Sequence, residues 1–268
     1  MTLSVWATTM LSLYTKVQVN ILGRHLYIDT ARRFGISSTM ESGDLVDKED
    51  QQKFLGTVDF LSQHGMPALI SDMEAATQEV LKGKQLSHFF NSTALHETIM
   101  QILNIFMKRG SPHSWIKYMM PEDSVTSIIG DPAPSDATEF EQLMMEARAV
   151  LLRFLYFFVR RFDAISLPSF TITQNDFLPF SFSAEFGCIF KVYVNMVVDV
   201  VVEQMGAKFR GGSIATGLPL ARVLPQVAQI CPLLLEEPSK NQFIKIINCI
   251  PEVEPFFTRV YANMPSAY

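Results

Sequence analysis

Segment after segment of this chain repeats its apolar residues every three or four positions, and almost nowhere every second position. Leu69, Met73, Ala76 and Val80 step in this way, as do Leu95, Ile99, Ile102 and Phe106. On an α-helix such spacings place each set on one face, whereas a half-buried strand needs a period of two. Phe140, Leu143, Ala147 and Val150 repeat the pattern behind Asp136 and Glu139, whose spacing predicts a capping box at a helix start. Arg109-Gly110-Ser111-Pro112 predicts a stop, with glycine in the left-handed cap and proline barring continuation. Pro219 suits the first position of a helix bearing Leu220, Val223 and Leu224, which Pro225 should bend or restart. Phe243, Ile246, Ile247 and Ile250 form another apolar face, and Val253, Phe256, Val260 and Met264 a last one. The run at 197–202 is β-branched, but Asp199 and Glu203 stand four apart as on one helical face. The expectation is an all-α fold, an elongated helical bundle forming a single domain over 1–268.

Composition narrows what such a bundle does. Apolar residues make up 48% of the chain and charged ones 18%, so there is more apolar surface than a soluble core of this size needs, and some of it should face a partner. The net charge of −5 lacks the basic surplus that counterion release demands, which argues against nucleic acid as a partner. Residues 1–15 carry no charge, yet no basic stretch precedes them as in a signal peptide, and Lys16 interrupts the run before a spanning length of about 20 residues. Ile21, Leu22, Leu26, Tyr27 and Ile28 resume the apolar pattern. This end therefore reads as a helix buried on most sides and not as a transmembrane helix. Cys188, Cys231 and Cys249 form no CxxC pair and leave an odd count, which fits buried thiols in a reducing compartment.

One region breaks the periodicity. Between Leu151 and Asn195 lie 10 of the 21 phenylalanines, in a run with neither a helical nor a strand period. An interfacial membrane helix would show a clear polar face, and this stretch does not. It reads as an atypical Phe-rich insertion over 153–194, expected to pack poorly.

Catalytic patterns are missing. His96-Glu97-Thr98-Ile99-Met100 begins like a zinc-binding HExxH helix, but Met100 stands where the second imidazole belongs, and a thioether is a poor zinc ligand. His25, His64, His88 and His113 have no metal-ligand spacing. Gly211, Gly212 and Gly217 lack the Lys-Ser/Thr of a phosphate loop and read as a linker. With neither a nucleophile elbow nor a cysteine nucleophile motif, the chain is expected not to be an enzyme and to use no metal or cofactor.

Particular strings carry more than periodicity does. LSVWATTMLSLYTKVQVNILGRHLYIDT at 3–30, QKFL at 52–55, EVLKGKQL at 79–86, GSPHSW at 110–115, YMMPED at 118–123, TGLPLARVLPQ at 216–226 and IPEVEPFFTRVYANMP at 250–265 occur in the order found in the peroxin-3 family (peroxisomal biogenesis factor 3), which the chain closely resembles, above all in its plant members. That resemblance implies a helical domain facing the cytosol from the peroxisomal membrane. It further implies docking of peroxin-19, the receptor and chaperone for newly made peroxisomal membrane proteins, through an amphipathic N-terminal helix laid in an apolar groove. The family's membrane anchor, and the Trp-bearing first helix that forms one groove wall, correspond to sequence upstream of Met1. Family members also pass within a few residues from the helix represented by 139–152 to that represented by 196–205, so 153–194 interrupts the pattern.

For the partner site the resemblance points to the surviving wall, Leu218, Pro219, Leu220, Ala221, Arg222 and Val223, with Arg222 placed to meet an acidic residue flanking the partner helix. A second reading fits the same residues: Leu220, Val223 and Leu224 as internal core and Arg222 as a solvated charge. From another functional class, a helical carrier of an apolar small molecule or lipid would use the Phe-rich segment to line a closed cavity.

Overall fold

The computed structural model describes residues 1–35, 47–110, 112–121, 138–164, 194–206, 217–234, 236–237 and 239–249, with the backbone alone at 32–35, 112–113, 153–164 and 247. The described residues are predominantly helical. In chain order they form α1 (Thr2–Gly35), α2 (Lys48–Gly56), α3 (Met66–Leu81), a two-residue strand β1 (Phe89–Phe90), α4 (Ser92–Arg109), α5 (Pro112–Met119), α6 (Glu139–Ala164), α7 (194–206), a second short strand β2 (Leu218–Pro219), α8 (Leu220–Leu234) and α9 (Gln242–Asn248). The all-α expectation holds.

The first half of α1 is buried nearly all round, as its uncharged sequence predicts: Val5, Trp6, Ala7, Met10, Leu13, Tyr14, Val17, Ile21 and Leu22 are core residues, with Thr9 and Gln18 buried among them. Trp6 stands edge-on to Phe106 of α4 (5.4 Å between centroids, 80°) and to Tyr118 of α5 (6.1 Å, 87°), and its indole N–H donates to the Met107 sulfur at 3.2 Å. Edge-to-face rings of this kind add to the burial of three large side chains. Further along α1, Val19, Leu26 and Tyr27 emerge into solvent. Among the described residues no helix is long and apolar enough to cross a membrane.

Between α2 and α3 the chain stays helical but changes winding, through a 3₁₀ turn at Thr57–Asp59 and a π turn at Leu61–Gly65. The irregularity faces α1: the Gln18 amide donates to Phe54 O and to Thr57 Oγ1 (2.9 Å), and the Tyr14 hydroxyl shares a 2.6 Å hydrogen bond with the same Thr57 oxygen. Burial pushes the Tyr14 hydroxyl up to about 12 despite the Thr57 bond, which pulls the other way.

Polar side-chain pairs tie helices to this body. Glu146 of α6 receives Arg24 and His25 of α1, both at 2.9 Å. His96, the start of the HExxH-like string, pairs with Asp199 of α7 at 3.2 Å. The helical reading of 197–202 holds, with Val197, Val198, Val201 and Val202 buried while Asp199 and Glu203 face outward.

Several local expectations need correction. The box at the start of α6 is built by Thr138 and Glu141, Thr138 N–H donating to Glu141 Oε2 (3.0 Å) and Glu141 N–H to Thr138 Oγ1 (3.3 Å). Asp136 lies outside the described residues. Gly110 ends α4 in an extended conformation, φ −104° and ψ 153°, so no left-handed cap requires glycine there. A Cβ at this position would stand 2.4 Å from Trp115 Nε1, so the requirement is the close pass of the indole. Pro219 belongs to β2 and precedes α8, which continues through both Pro225 and Pro232. Cys249 is exposed and Cys231 half-buried, so neither is a deeply buried thiol; Cys188 lies outside the described residues. No break occurs at Arg153, where the α6 backbone runs on to Ala164. The remainder of the expected insertion, 165–193, and the apolar face at 253–264 lie outside the described residues, as does Ile250.

Candidate functional site

The stretch singled out in the sequence sits where the turn after α3 meets the start of α8. β1 and β2 pair antiparallel, Phe89 opposite Pro219 and Phe90 opposite Leu218. Since cross-strand partners share a face, Phe89 and Pro219 lie on one side and Phe90 and Leu218 on the other. Phe90 is buried, while Phe89 on the opposite side is 75% exposed. Gly217, with φ 87°, turns the chain into β2 in a conformation that L side chains rarely adopt. Two further bonds lace turn to helix: Leu220 N–H to His88 O at 2.8 Å and Ala221 N–H to Leu86 O at 3.0 Å. Two of the amide donors that a helix start leaves open are thereby satisfied.

The six residues of the expected wall divide. Leu220 is 7% exposed and Val223 1%, so both point into the core. Ala221 and Arg222 face solvent, and Leu218 and Pro219 are half-buried. The alternative core reading is therefore met by Leu220 and Val223 and not by Leu224, which is 45% exposed. Ala221, Leu224, Pro225 and Ala228 make an outward apolar stripe on α8. Leu86, 60% exposed, and Phe89 are exposed on the turn whose carbonyls receive the Leu220 and Ala221 N–H groups. Lys82, His88 and Arg222 are exposed on these same two elements, and half-buried Lys84 donates to Thr98 Oγ1 at 2.9 Å with its ammonium 5.1 Å from the Phe90 ring centre.

Sequence reasoning did not single out Leu86 or Phe89, and it offered Leu224 only as core. Spacing carried a signal for Leu224, which follows Ala221 by three and precedes Ala228 by four. For Leu86 and Phe89 there was none, because what brings them to α8 is a pairing between distant segments.

Beside β1 lies an open depression of about 420 Å³, lined by Lys84, Phe89, Phe90, Glu97 and Gln101 among others. His88 and Thr98 also line it, and Lys84 is held there by the Thr98 hydroxyl and the Phe90 ring. Among the described residues no cluster of histidine, cysteine and carboxylate side chains has the grouping of a metal site. What the surface offers is apolar contact flanked by positive charge.

No family model matches the chain. It is 45% identical over 267 residues to "Peroxisome biogenesis protein 3-2" of Arabidopsis thaliana, an alignment covering 99% of this chain and 65% of that protein. Against "Peroxisome biogenesis protein 3-1" of the same plant the identity is 43%, covering 99% and 64%. Human "Peroxisomal biogenesis factor 3" is 26% identical, with 97% and 66% covered. The chain thus spans 65% and 64% of the length of the two plant relatives. An alignment this long takes in α1, the 82–89 turn and α8 alike, and on that ground the chain belongs to the peroxin-3 family, as a plant-like member.

Proposed function

We propose that this chain acts in peroxisome biogenesis as a docking domain, facing the cytosol from the peroxisomal membrane, and that its partner is the N-terminal amphipathic helix of peroxin-19. The observation that carries the reading is the exposed stripe of Ala221, Leu224 and Ala228 on α8, with Leu86 and Phe89 exposed on the turn that is hydrogen-bonded to the start of that helix, and Lys82 and Arg222 exposed on the same two elements. An amphipathic helix places apolar residues at three- and four-residue spacing against such a stripe and sets its acidic flank against the basic border. This task needs burial and shape and no catalytic group, so the proposed role is not enzymatic. On the same reading 1–268 is one helical domain interrupted by an insertion at 153–194. A carrier of an apolar small molecule would need a closed apolar cavity, and the depression beside β1 is open and lined in part by Lys84, Glu97 and Gln101.

The direct experiment titrates a labelled peroxin-19 helix against the chain and two variants. Leu224→Asp sets a charge against the apolar face of the partner and should cost about 2 kcal/mol or more of binding, as loss of a central anchor does. Arg222→Glu should act mainly on association rate and salt dependence. Equal binding by all three proteins would show that the stripe is not the docking surface.

A further inference from the structure

Ser87 lies between the two most exposed apolar residues of the proposed docking surface, Leu86 and Phe89. It is exposed, outside regular helix or strand, and its hydroxyl makes only a long contact, 3.4 Å, to Gln85 Oε1. Lysines stand three and five residues before it, Lys84 and Lys82, the arrangement of an acceptor serine that a basic-directed protein kinase reads by charge. The carbonyls on either side of it, Leu86 O and His88 O, receive the two amide bonds from Ala221 and Leu220, so the Ser87 backbone is fixed against the start of α8 and one turn from Leu224.

We infer that Ser87 is a phosphorylation site that switches the docking surface off, a conclusion resting on the docking function proposed above. In the transfer, the Ser87 hydroxyl oxygen attacks the γ-phosphorus of ATP bound to a basic-directed serine kinase. The new O–P bond forms as the bond to the β-phosphate oxygen breaks, ADP leaves, and the hydroxyl proton passes to solvent. The product carries nearly two negative charges at neutral pH. Lys82 and Arg222 are the positive charges of the border, and one phosphate offsets them both. It also stands between Leu86 and Phe89, where an incoming apolar helix face would have to desolvate it. A partner with acidic flanks is repelled both ways. Because the linkage is reciprocal, a bound partner should in turn slow modification of Ser87.

The test treats the full chain with the catalytic subunit of a basic-directed serine kinase and magnesium ATP, locates phosphate by mass spectrometry, and titrates an amphipathic helix with acidic flanks at low and high salt. Expected are one phosphate at Ser87, none there in Ser87→Ala, an unchanged thermal midpoint, and binding weakened about tenfold at low salt with a smaller loss at high salt, where screening shortens the reach of the phosphate. Phosphate entering a free peptide of residues 82–90 but not Ser87 of the folded chain would overturn the inference. So would modified chain that binds as tightly as unmodified chain while Leu224→Asp still abolishes binding. If Leu224→Asp binds as well as the parent, the docking function itself fails, and the switch fails with it.

Discussion

Two regions of this molecule are built from the same kinds of residue and differ only in whether anything covers them. Around Trp6, the side chains of Phe106, Met107 and Tyr118 close over one another, and every polar handle has a partner: the indole N–H meets sulfur and the Tyr118 hydroxyl meets Asp72. On α8 and the 82–89 turn, the side chains of Leu224, Leu86 and Phe89 are exposed on the same elements as Lys82 and Arg222. Nothing in the residue types distinguishes a core from a docking face. The difference lies in how many neighbouring elements converge: three helices at Trp6, and one helix edge with a turn at Leu224.

If that distinction is right, damage to the first region should appear in stability and damage to the second in binding. Trp6→Ala should lose about 3–5 kcal/mol of folding free energy, since both the ring and its two edge-on partners are left facing a void; an unchanged urea midpoint would break the comparison at once. The sharper form uses two leucines four residues apart. Leu220→Asp buries an uncompensated charge and should cost about 3 kcal/mol, while Leu224→Asp, on the exposed side of the same helix, should stay within about 0.5 kcal/mol of the parent. Similar losses from both would mean that α8 has no free face. Gly110→Ala asks the core for room that Trp115, itself buried, does not have, and overpacking of this kind should cost about 2 kcal/mol. Chemical denaturation of the alanine variant measures it directly.

The smallest expected effect carries a pH signature. Tyr14→Phe removes the hydrogen bond to Thr57 and should cost about 1 kcal/mol near neutrality. The folded state keeps the Tyr14 proton up to about 12, whereas the ordinary tyrosine value is 10.0. Stability from this group is therefore complete below pH 10 and disappears as pH rises through 12, because the unfolded chain releases the proton first. A denaturation series across that alkaline window should show a steeper decline for the parent than for Tyr14→Phe, and parallel curves would remove Tyr14 from the explanation.

Periodicity made α3, α4 and the start of α6 legible, because each has one apolar face set by neighbours on one side. It also gave α7 correctly, since Asp199 and Glu203 recur at a helical interval where β-branched residues alone suggest strand. The errors share a cause: a local signal was right in kind and a contact elsewhere decided its use. Two boxes of identical spacing, Asp136–Glu139 and Thr138–Glu141, compete at the start of α6, and sequence does not rank them. Glycine at 110 was read as a conformational need, but the constraint is the Trp115 ring. Proline at 219 has the local signature of a helix start, but its pairing with Phe89 makes it part of β2. For the candidate surface, the string around Arg222 marked the segment that forms β2 and the start of α8, yet its period alone could not divide Leu220 from Leu224, because the side of α8 that becomes core is chosen by what packs on it.

The two backbone hydrogen bonds that fasten α8 to the 82–89 turn join parts of the chain made at very different moments. Phe89 and Pro219 are about 130 residues apart, and a contact of that separation cannot exist while the nascent chain is still short. The aromatic cluster of Trp6, Phe106 and Tyr118 needs less than the first half of the chain. An incomplete product can therefore possess a core and still lack the united surface of Leu86, Phe89 and Leu224, so that a partner fitted to this surface would distinguish finished chains from unfinished ones without any separate inspection step.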